Sequence, residues 1–192
     1  AYDTPHEVVV GSRTAEKAEN KAEEYETELS SRGLDVTIGH GENPDAAAGS
    51  DVVVLSVPAY HLADTVDSVA DRLDRDAVLV SPAVGMKRDD AGLHYNPPGA
   101  GSVTQLAAQS APADVPVVGA FHNLAAGRLA NLDAELGWDV PIVGDDGDAV
   151  SLIADVAAGI EGLRPLRAGG LENAAEVESL TALLINLAAN NE

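Results

Sequence analysis

The sequence predicts an α/β fold, a doubly wound parallel sheet with a small C-terminal α/β extension. The first observation is a set of near-continuous apolar runs at residues 51–56, 77–81 and 115–120, which is typical of strands buried on both faces. The second is that helical segments alternate with these runs along the chain. The third is that 45% of the 192 residues are apolar, which suffices for a core, although no run approaches the roughly 20 residues of a membrane span.

Each predicted strand is a short run rich in β-branched residues and bounded by glycine, proline or polar turn residues. The run at residues 51–56 has the strongest strand character, and the first run is interpreted as a buried strand that ends at Gly11. In chain order, strands are expected at Glu7–Val10, Val36–Ile38, Asp51–Ser56, Ala77–Ser81, Val115–Ala120, Val140–Val143 and Leu163–Leu166.

The predicted helices are marked by signals at their ends. Thr14 can cap a helix rich in Ala, Glu and Lys, and Gly33 can end it. Asn43 and Pro44 supply a cap and a first-turn proline for a shorter helix. The stretch Pro82–Gly101 is predicted to be a long irregular loop, a feature that is more often functional than decorative in a compact domain. Helices are expected at Ala15–Arg32, Asn43–Ala48, His61–Leu73, Asp148–Ile160 and Asn173–Leu187.

The chain is strongly acidic, since 11 Lys and Arg against 32 Asp and Glu give a net charge of −21. Such a charge repels phosphate backbones and anionic lipid, so neither nucleic acid nor a membrane is expected as a partner. A disordered acidic tail does not explain it, because acidic residues are spread from Asp3 to Glu192 without a long run. We interpret the composition as the acidic surface of a halophilic protein, in which salt screens the self-repulsion.

The absence of cysteine excludes disulfides, thiolate catalysis and metal sites built on sulfur. The first residues show neither a basic n-region nor the cleavage pattern of an export signal. A reducing cytoplasm is therefore the simplest location. His6, His40 and His94 are too scattered along the sequence to suggest a metal site, so no metal is expected.

A candidate anion site follows the first predicted strand. Ligands of open parallel sheets bind beyond the carboxyl ends of the strands, where this chain has Ser12 and Arg13, with Lys17 one helical turn further on. In dinucleotide-binding (Rossmann) folds an arginine at this point accommodates the 2′-phosphate of NADP. The alternative is that both cations lie on the surface and pair with Glu16 or Glu19, and the pattern alone favours neither interpretation.

The Gly-rich phosphate loop of such folds has no counterpart in the sequence. That loop should stand roughly 20 residues before the NADP signature, and Arg13 is too near the first residue for this. Either the first strand and its loop lie upstream of Ala1, or the chain does not have this fold. Longer sequence motifs favour the possibility that the first strand and its loop lie upstream.

Six segments carry these motifs: GSRTAEKA, VVVLSVPAYH, LVSPAV, GAFHNLAAGRLANLD, WDVPIVGDD and GLRPLRAGGLENAAEVESLTALLINL. Each is weak alone, but together they resemble the NADP oxidoreductases that use the deazaflavin coenzyme F420, over about residues 7–188. The resemblance implies a Rossmann-type NADP-binding domain at about residues 1–135, without its first strand and GGTGxxG-type loop. It also implies a smaller portion at 136–192 that completes the cleft and lacks the short C-terminal tail of the family.

The resemblance implies an enzyme that transfers a hydride reversibly between reduced coenzyme F420 and NADP⁺. Both cofactors carry the chemistry themselves, so the protein must hold two flat rings at near-attack distance and exclude water. A site without a nucleophile or a metal is expected. The family also implies a homo-oligomer, a dimer or higher, and the apolar positions of the last helix could form its interface.

Carried over by position, the resemblance assigns the NADP-binding residues in three groups. The group that would hold the 2′-phosphate is Ser12, Arg13 and Lys17. The group that would lie beside the dinucleotide is Ser56, Val57, Pro58 and His61. The group that would hydrogen-bond near the nicotinamide and fix its ring, without a covalent role, is His122, Ser179 and Thr181.

The resemblance also assigns residues around the deazaflavin. The loop that would receive its ring consists of Ser81, Pro82, Ala83 and Val84. The stretch that would line the cleft shared by both rings includes Asn123, Leu124 and Ala126. Lys87 and Arg88 offer cations to the anionic tail of the coenzyme, although the loop around them departs from the family pattern.

Structural explanations of these residues remain open. His61 could cap or pack the start of its helix, His122 could be a hydrogen-bonded strand-end histidine, and Ser179 and Thr181 could bond back to the preceding helical turn. The position of His122 in a strand-end motif favours a functional role.

Two other functions also remain open. One is another NADP-dependent reductase on the same fold, acting on an imine, a carbonyl compound or a metal ion. It would need a general acid, for which His61 and His122 are the candidates. The other is a non-catalytic Rossmann remnant, which the missing Gly-rich loop would favour.

Overall fold

The computed structural model describes residues 6–191, and its strands and helices alternate for most of the chain. The strands are β1 (Val9–Ser12), β2 (Gly39–Glu42), β3 (Val52–Val54), β4 (Val78–Ser81), β5 (Met86–Asp89), β6 (Gly92–Tyr95), β7 (Val117–Gly119), β8 (Trp138–Gly144) and β9 (Leu163–Arg167). The helices are α1 (Ala15–Ser31), α2 (Asn43–Ala47), α3 (Leu62–Val69), α4 (Val103–Ser110), α5 (Ala126–Leu129), α6 (Gly147–Ala158) and α7 (Ala174–Asn191). Short 3-10 turns flank α3 and precede α7.

The main sheet has the strand order β3-β4-β7-β8-β9. The first three of these strands are parallel, which confirms the predicted α/β class. β8 is antiparallel to β7, and β9 is parallel to β8. The reason is that residues 120–137 contain only the four-residue helix α5, too short to carry the chain back across the sheet. The start of β8 therefore lies at the same edge as the carboxyl ends of β3, β4 and β7.

Two apolar clusters cover the faces of the main sheet. β4 is buried along its whole length because alternate side chains point into different clusters. Val78 and Val80 pack with Ile153 of α6, whereas Leu79 packs with Leu62 of α3 and the apolar side of α4. β8 and β9 extend the same sheet, and the proposed division at residues 135 and 136 stays a prediction.

β1 and β2 form a separate parallel pair, which differs from the expectation. The first strand runs two residues later than predicted and is not buried, since Val9 is 46% exposed and the other three residues are exposed or half-buried. The second comprises Gly39–Glu42, not the β-branched residues 36–38. Pairing of Val9 with Gly39 fixes this register, so it overrides local strand propensity. α2 packs against both strands and against α3, which links the pair to the rest of the fold.

The stretch 82–101 is not an irregular loop, because β5 and β6 form an antiparallel hairpin within it. Asn186 of α7 fixes this hairpin: its Oδ1 accepts a hydrogen bond from Leu93 N at 3.0 Å, and its Nδ2 donates to Leu93 O at 2.6 Å. Gly92 turns the chain with φ of +123°, a conformation that favours glycine. The hairpin is therefore held by a residue 93 positions away along the chain.

Among residues 6–191, no helix is both long and apolar enough to cross a membrane. The cytoplasmic location that the lack of cysteine favours stays a prediction.

Candidate functional site

Three buried polar atoms without hydrogen-bond partners among the described residues mark the carboxyl edge of the main sheet. Ser81 ends β4 and pairs in register with Gly119 of β7, and His122 and Asn123 follow shortly after β7. The three atoms are Ser81 Oγ, His122 Nδ1 and Asn123 Oδ1. Because buried polar atoms are nearly always hydrogen-bonded in native proteins, a group of unpartnered ones indicates where a ligand can bond.

The backbone beside these atoms has an uncommon geometry. Phe121 has φ of +66°, in the left-handed region that non-glycine residues rarely occupy. Such strain persists only where the surroundings enforce it, and it occurs preferentially at functional sites. At Gly119, a Cβ would lie 2.9 Å from Thr104 Oγ1 and 3.0 Å from His122 Cε1. Glycine is therefore required for β7 to lie this close to the threonine and histidine.

His122 belongs to a buried hydrogen-bond network that joins three elements. Its Nε2 lies 3.2 Å from Thr104 Oγ1 of α4, and Thr104 Oγ1 donates to Glu178 Oε1 of α7 at 3.0 Å. Thr181 Oγ1, also on α7, donates to the His122 carbonyl oxygen at 2.9 Å. The structure thus brings together the predicted residues His122 and Thr181 and adds two that were not predicted.

The electrostatics of the network follow from its burial. Burial lowers the pKa of His122 to about 4, so its imidazole is neutral near pH 7. Burial also raises the pKa of Glu178, while hydrogen bonds from Val103, Thr104 and Tyr95 oppose that rise. The pKa of Tyr95 is raised by burial and by the Glu178 carboxylate, so its hydroxyl remains a donor.

An open cleft of about 850 Å³ lies at the same edge, between the start of β8, the start of β9 and α7. Of the three residues with unpartnered atoms, Asn123 is the one that lines the cleft, and its Nδ2 donates to Asp139 O at 2.9 Å. Arg164 forms two hydrogen bonds with the Asp139 carboxylate, at 2.6 and 2.7 Å, which hold the pKa of that carboxyl below its usual value. Trp138 and Leu184 form apolar parts of the cleft wall. The cleft could accept a flat ring with polar substituents.

The predicted anion site lies at the end of β1. Ser12 is half-buried, and Arg13 and Lys17 are exposed. Neither cation forms an ion pair with a carboxylate of residues 6–191, so the pairing with Glu16 or Glu19 is not seen. Thr14 occupies the cap position of α1, although its side chain makes no capping hydrogen bond.

The remaining predicted residues lie in different environments. Val57, Ala83 and Leu124 pack against the apolar clusters, and Pro82 and Val84 are half-buried beside them. Exposed positions are occupied by Ser56, Pro58, His61 and Ala126. The His61 ring contacts that of Tyr60 in a tilted arrangement, with ring centroids 4.3 Å apart and an interplanar angle of 52°. The roles assigned to all these residues stay predictions.

Ser179 forms no hydrogen bond with His122, whereas Thr181 does. Its hydroxyl donates to Glu176 O at 2.8 Å within α7, the back-bonding pattern that sequence reasoning left open. Its proposed contact with the nicotinamide stays a prediction.

Sequence reasoning missed Glu178, Thr104 and the Asp139–Arg164 pair. A signal for α4 was present, since Ser102 and Gln105 have the spacing of a capping box, and Ser102 Oγ accepts from Gln105 N at 3.0 Å. Glu178 also stood among the apolar positions of a predicted helix, where a carboxylate requires specific donors.

A helix-covered parallel sheet with binding groups at its carboxyl edge is the architecture of dinucleotide-binding α/β proteins. Residues 1–85 match the family described as NADP oxidoreductase, coenzyme F420-dependent. The chain is 37% identical over 188 residues to the F420-dependent NADP reductase of Methanothermobacter thermautotrophicus, covering 96% of this chain and 80% of that protein. The chain belongs to this family of F420-dependent NADP oxidoreductases.

Two further proteins are similar to this chain. The F420-dependent NADP reductase of Methanocaldococcus jannaschii is 33% identical over 184 residues, which cover 95% of this chain and 82% of that protein. A crystal structure of a candidate F420-dependent NADP-reductase from Arthrobacter sp. FB24 superimposes with a TM-score of 0.75 at 19% identity, over 95% of this chain and 83% of that one. The second comparison supports the fold alone.

Proposed function

We propose that this protein catalyses reversible hydride transfer between reduced coenzyme F420 and NADP⁺. The observation that carries the proposal is the set of buried, unpartnered polar atoms at the carboxyl edge of the sheet, in a chain of this family. They fit a nicotinamide and a deazaflavin because both rings carry amide-type donors and acceptors at their rims. The relatives that cover most of this chain are named for the same pair of cofactors.

The protein's contribution in this proposal is orientation. A reduced deazaflavin supplies a hydride and a proton, and the nicotinamide of NADP⁺ takes the hydride while the proton passes to solvent. His122 is neutral and offers a hydrogen-bond acceptor, and the Thr181 hydroxyl fixes the main chain of His122. Apolar side chains such as Leu184 line the cleft, and water displaced from it by the bound rings would favour direct transfer.

The binding roles follow the sequence assignment. The half-buried Ser12 and the exposed cations Arg13 and Lys17 bind the 2′-phosphate, because they are free of ion pairs with the described carboxylates. The segments beyond β3 and β4 border the dinucleotide and the deazaflavin, and the segment beyond β7 lines their shared cleft. Lys87 and Arg88 are exposed on the hairpin β5–β6, where cations can bind the acidic tail.

Turnover with the two cofactors tests the proposal. The full-length protein is mixed with NADPH and oxidised F420 in molar salt, since a net charge of −21 requires screening. We expect loss of the deazaflavin absorbance with NADPH at a rate at least about tenfold above that with NADH. Tight binding of NADPH without turnover would instead indicate another NADP-dependent reductase, and absence of binding would reject both.

The exposed apolar face of α7 supports a homo-oligomer in which this helix packs against a second copy. Leu180, Leu183, Leu184 and Leu187 recur at helical spacing and are 44%, 54%, 46% and 51% exposed. A contiguous apolar patch of this kind marks an interaction surface. A second copy is the partner we propose, because the same helix borders the cleft through Leu184, so a neighbouring copy would also shield the cleft from water.

Replacing Leu183 and Leu187 by glutamate is expected to yield monomers, because two charges per copy would be buried at the interface. Sedimentation equilibrium in molar salt measures the mass. The matched control is Leu152→Glu, which changes a leucine of 37% exposure on α6 and should leave the mass unchanged. An unchanged oligomer in the double variant would exclude α7 as the interface.

A further inference from the structure

His122 is connected through Thr104 to a buried carboxylate that the proposed reaction does not use. We propose that the Glu178–Thr104 pair positions His122 by fixing its tautomer: Nε2 carries the proton and Nδ1 is kept as a hydrogen-bond acceptor for the bound nicotinamide. The ligand part of this inference rests on the proposed function, whereas the tautomer itself does not.

The contacts of Glu178 indicate that its carboxyl group is ionised. Its Oε1 accepts from Thr104 N at 2.8 Å and from Thr104 Oγ1 at 3.0 Å. Its Oε2 accepts from Val103 N at 3.0 Å and from Tyr95 Oη at 3.1 Å. Four donors surround the two oxygens, of which Tyr95 Oη also lies 3.3 Å from Gly101 O, and a carboxyl proton would have to displace one of them. Two of these donors are amides at the start of α4, where the helix dipole also favours a negative charge.

Thr104 has a single hydroxyl proton to donate. Because Glu178 is an acceptor only, that proton points to Oε1. The bond between Thr104 Oγ1 and His122 Nε2, at 3.2 Å, then requires a proton on the nitrogen, which donates to the hydroxyl oxygen. His122 Nε2 therefore donates to Thr104 Oγ1, and Thr104 Oγ1 donates to Glu178 Oε1.

The protonation state of the other ring nitrogen of His122, Nδ1, follows from this arrangement. A neutral imidazole carries one proton, and burial keeps His122 neutral. With that proton on Nε2, Nδ1 is a bare acceptor, and it is buried without a partner among the described residues. A carboxamide N–H of nicotinamide can satisfy it, whereas a ligand that presents only a carbonyl oxygen cannot. The network therefore selects the chemistry of the ligand at this point.

The test reads the tautomer directly by two-bond ¹⁵N–¹H correlation spectra of the histidine rings in the full-length protein without cofactors. The His122→Asn variant identifies the His122 signals. We expect one protonated nitrogen, Nε2, in the wild-type protein and in Thr104→Ser, which keeps the hydroxyl. In Thr104→Val, of nearly equal volume, Nε2 loses its acceptor and Nδ1 becomes partly protonated.

The two Thr104 variants should also differ in their KM for NADP⁺. Thr104→Val is expected to raise KM for NADP⁺ by about tenfold, the value of one hydrogen bond, while Thr104→Ser stays within about twofold. Protonation at Nδ1 in the wild-type protein, or an unchanged tautomer in Thr104→Val, would overturn the proposal. The wild-type spectrum decides even if the valine variant fails to fold. The expected spectra combined with an inactive wild-type enzyme would overturn the proposed function and leave the tautomer assignment standing.

Discussion

Replacing Arg13 by alanine is expected to lower kcat/KM for NADP⁺ by about 10- to 100-fold while leaving the value for NAD⁺ nearly unchanged. Arg13 is exposed at the end of β1 and forms no ion pair with a described carboxylate. A guanidinium binds a phosphate through two hydrogen bonds, each stronger than a neutral one. Since the two dinucleotides differ only in the 2′-phosphate, the loss of kcat/KM should appear with NADP⁺ and not with NAD⁺.

The effect should fall mainly on KM, because the phosphate is remote from the reacting ring and binds equally in ground and transition states. Lys17→Ala should show a smaller loss, about threefold, since an ammonium acts as a point charge. The matched control is Lys21→Ala, an exposed cation on α1 that pairs with Glu24 and should change neither cofactor's constants. An Arg13→Ala enzyme with an unchanged ratio of kcat/KM for NADP⁺ to kcat/KM for NAD⁺ would show that Arg13 does not bind the 2′-phosphate.

The second large effect is a loss of stability in acid that depends on His122. Its pKa is about 4 in the folded protein, against 6.5 for an ordinary histidine, because the ring is buried. Between these values the unfolded chain binds a proton that the folded chain does not, so stability falls as the pH falls through this window. The full difference amounts to about 3 kcal/mol of unfolding free energy at pH 4 relative to pH 7.

Chemical denaturation of the wild-type protein and of His122→Asn, from pH 7.5 to pH 4, measures this contribution. Titration of many carboxylates also destabilises the wild type, so the informative quantity is the difference between the two proteins at each pH. That difference should shrink by about 3 kcal/mol as the pH falls. His40→Asn, at an exposed position of β2, should keep the wild-type profile. Parallel profiles for wild type and His122→Asn would show that His122 titrates normally.

Local signals in the sequence predicted several elements closely. α1 begins at Ala15 as expected and ends at Ser31, one residue early, because Thr14 and Gly33 mark its ends through short-range geometry. The strands β4 and β7 lie within their predicted apolar runs because burial on both faces requires such runs. The ends of a helix and the course of a buried strand can be predicted from the sequence because they depend on residues a few positions away.

The features that sequence reasoning missed depend on distant contacts. The register of β1 with β2, and the antiparallel entry of β8, come from pairing between strands and from the length of a connection. Thr104 is 18 positions from His122 and 74 from Glu178, so no local pattern reports that their side chains meet. His122 could be predicted as a site residue from its place after β7, but the groups that set its protonation could not.

In the proposed reaction a hydride passes directly from one cofactor to the other while the protein only orients them. NADPH carrying deuterium at C4 of the nicotinamide, in the transferred position, tests it most directly, with oxidised F420 as acceptor in ordinary water. Direct transfer would place one deuterium per molecule at the reacting carbon of the reduced deazaflavin, measured by mass spectrometry and NMR. Reduced deazaflavin without the label, with deuterium released to water, would contradict direct transfer.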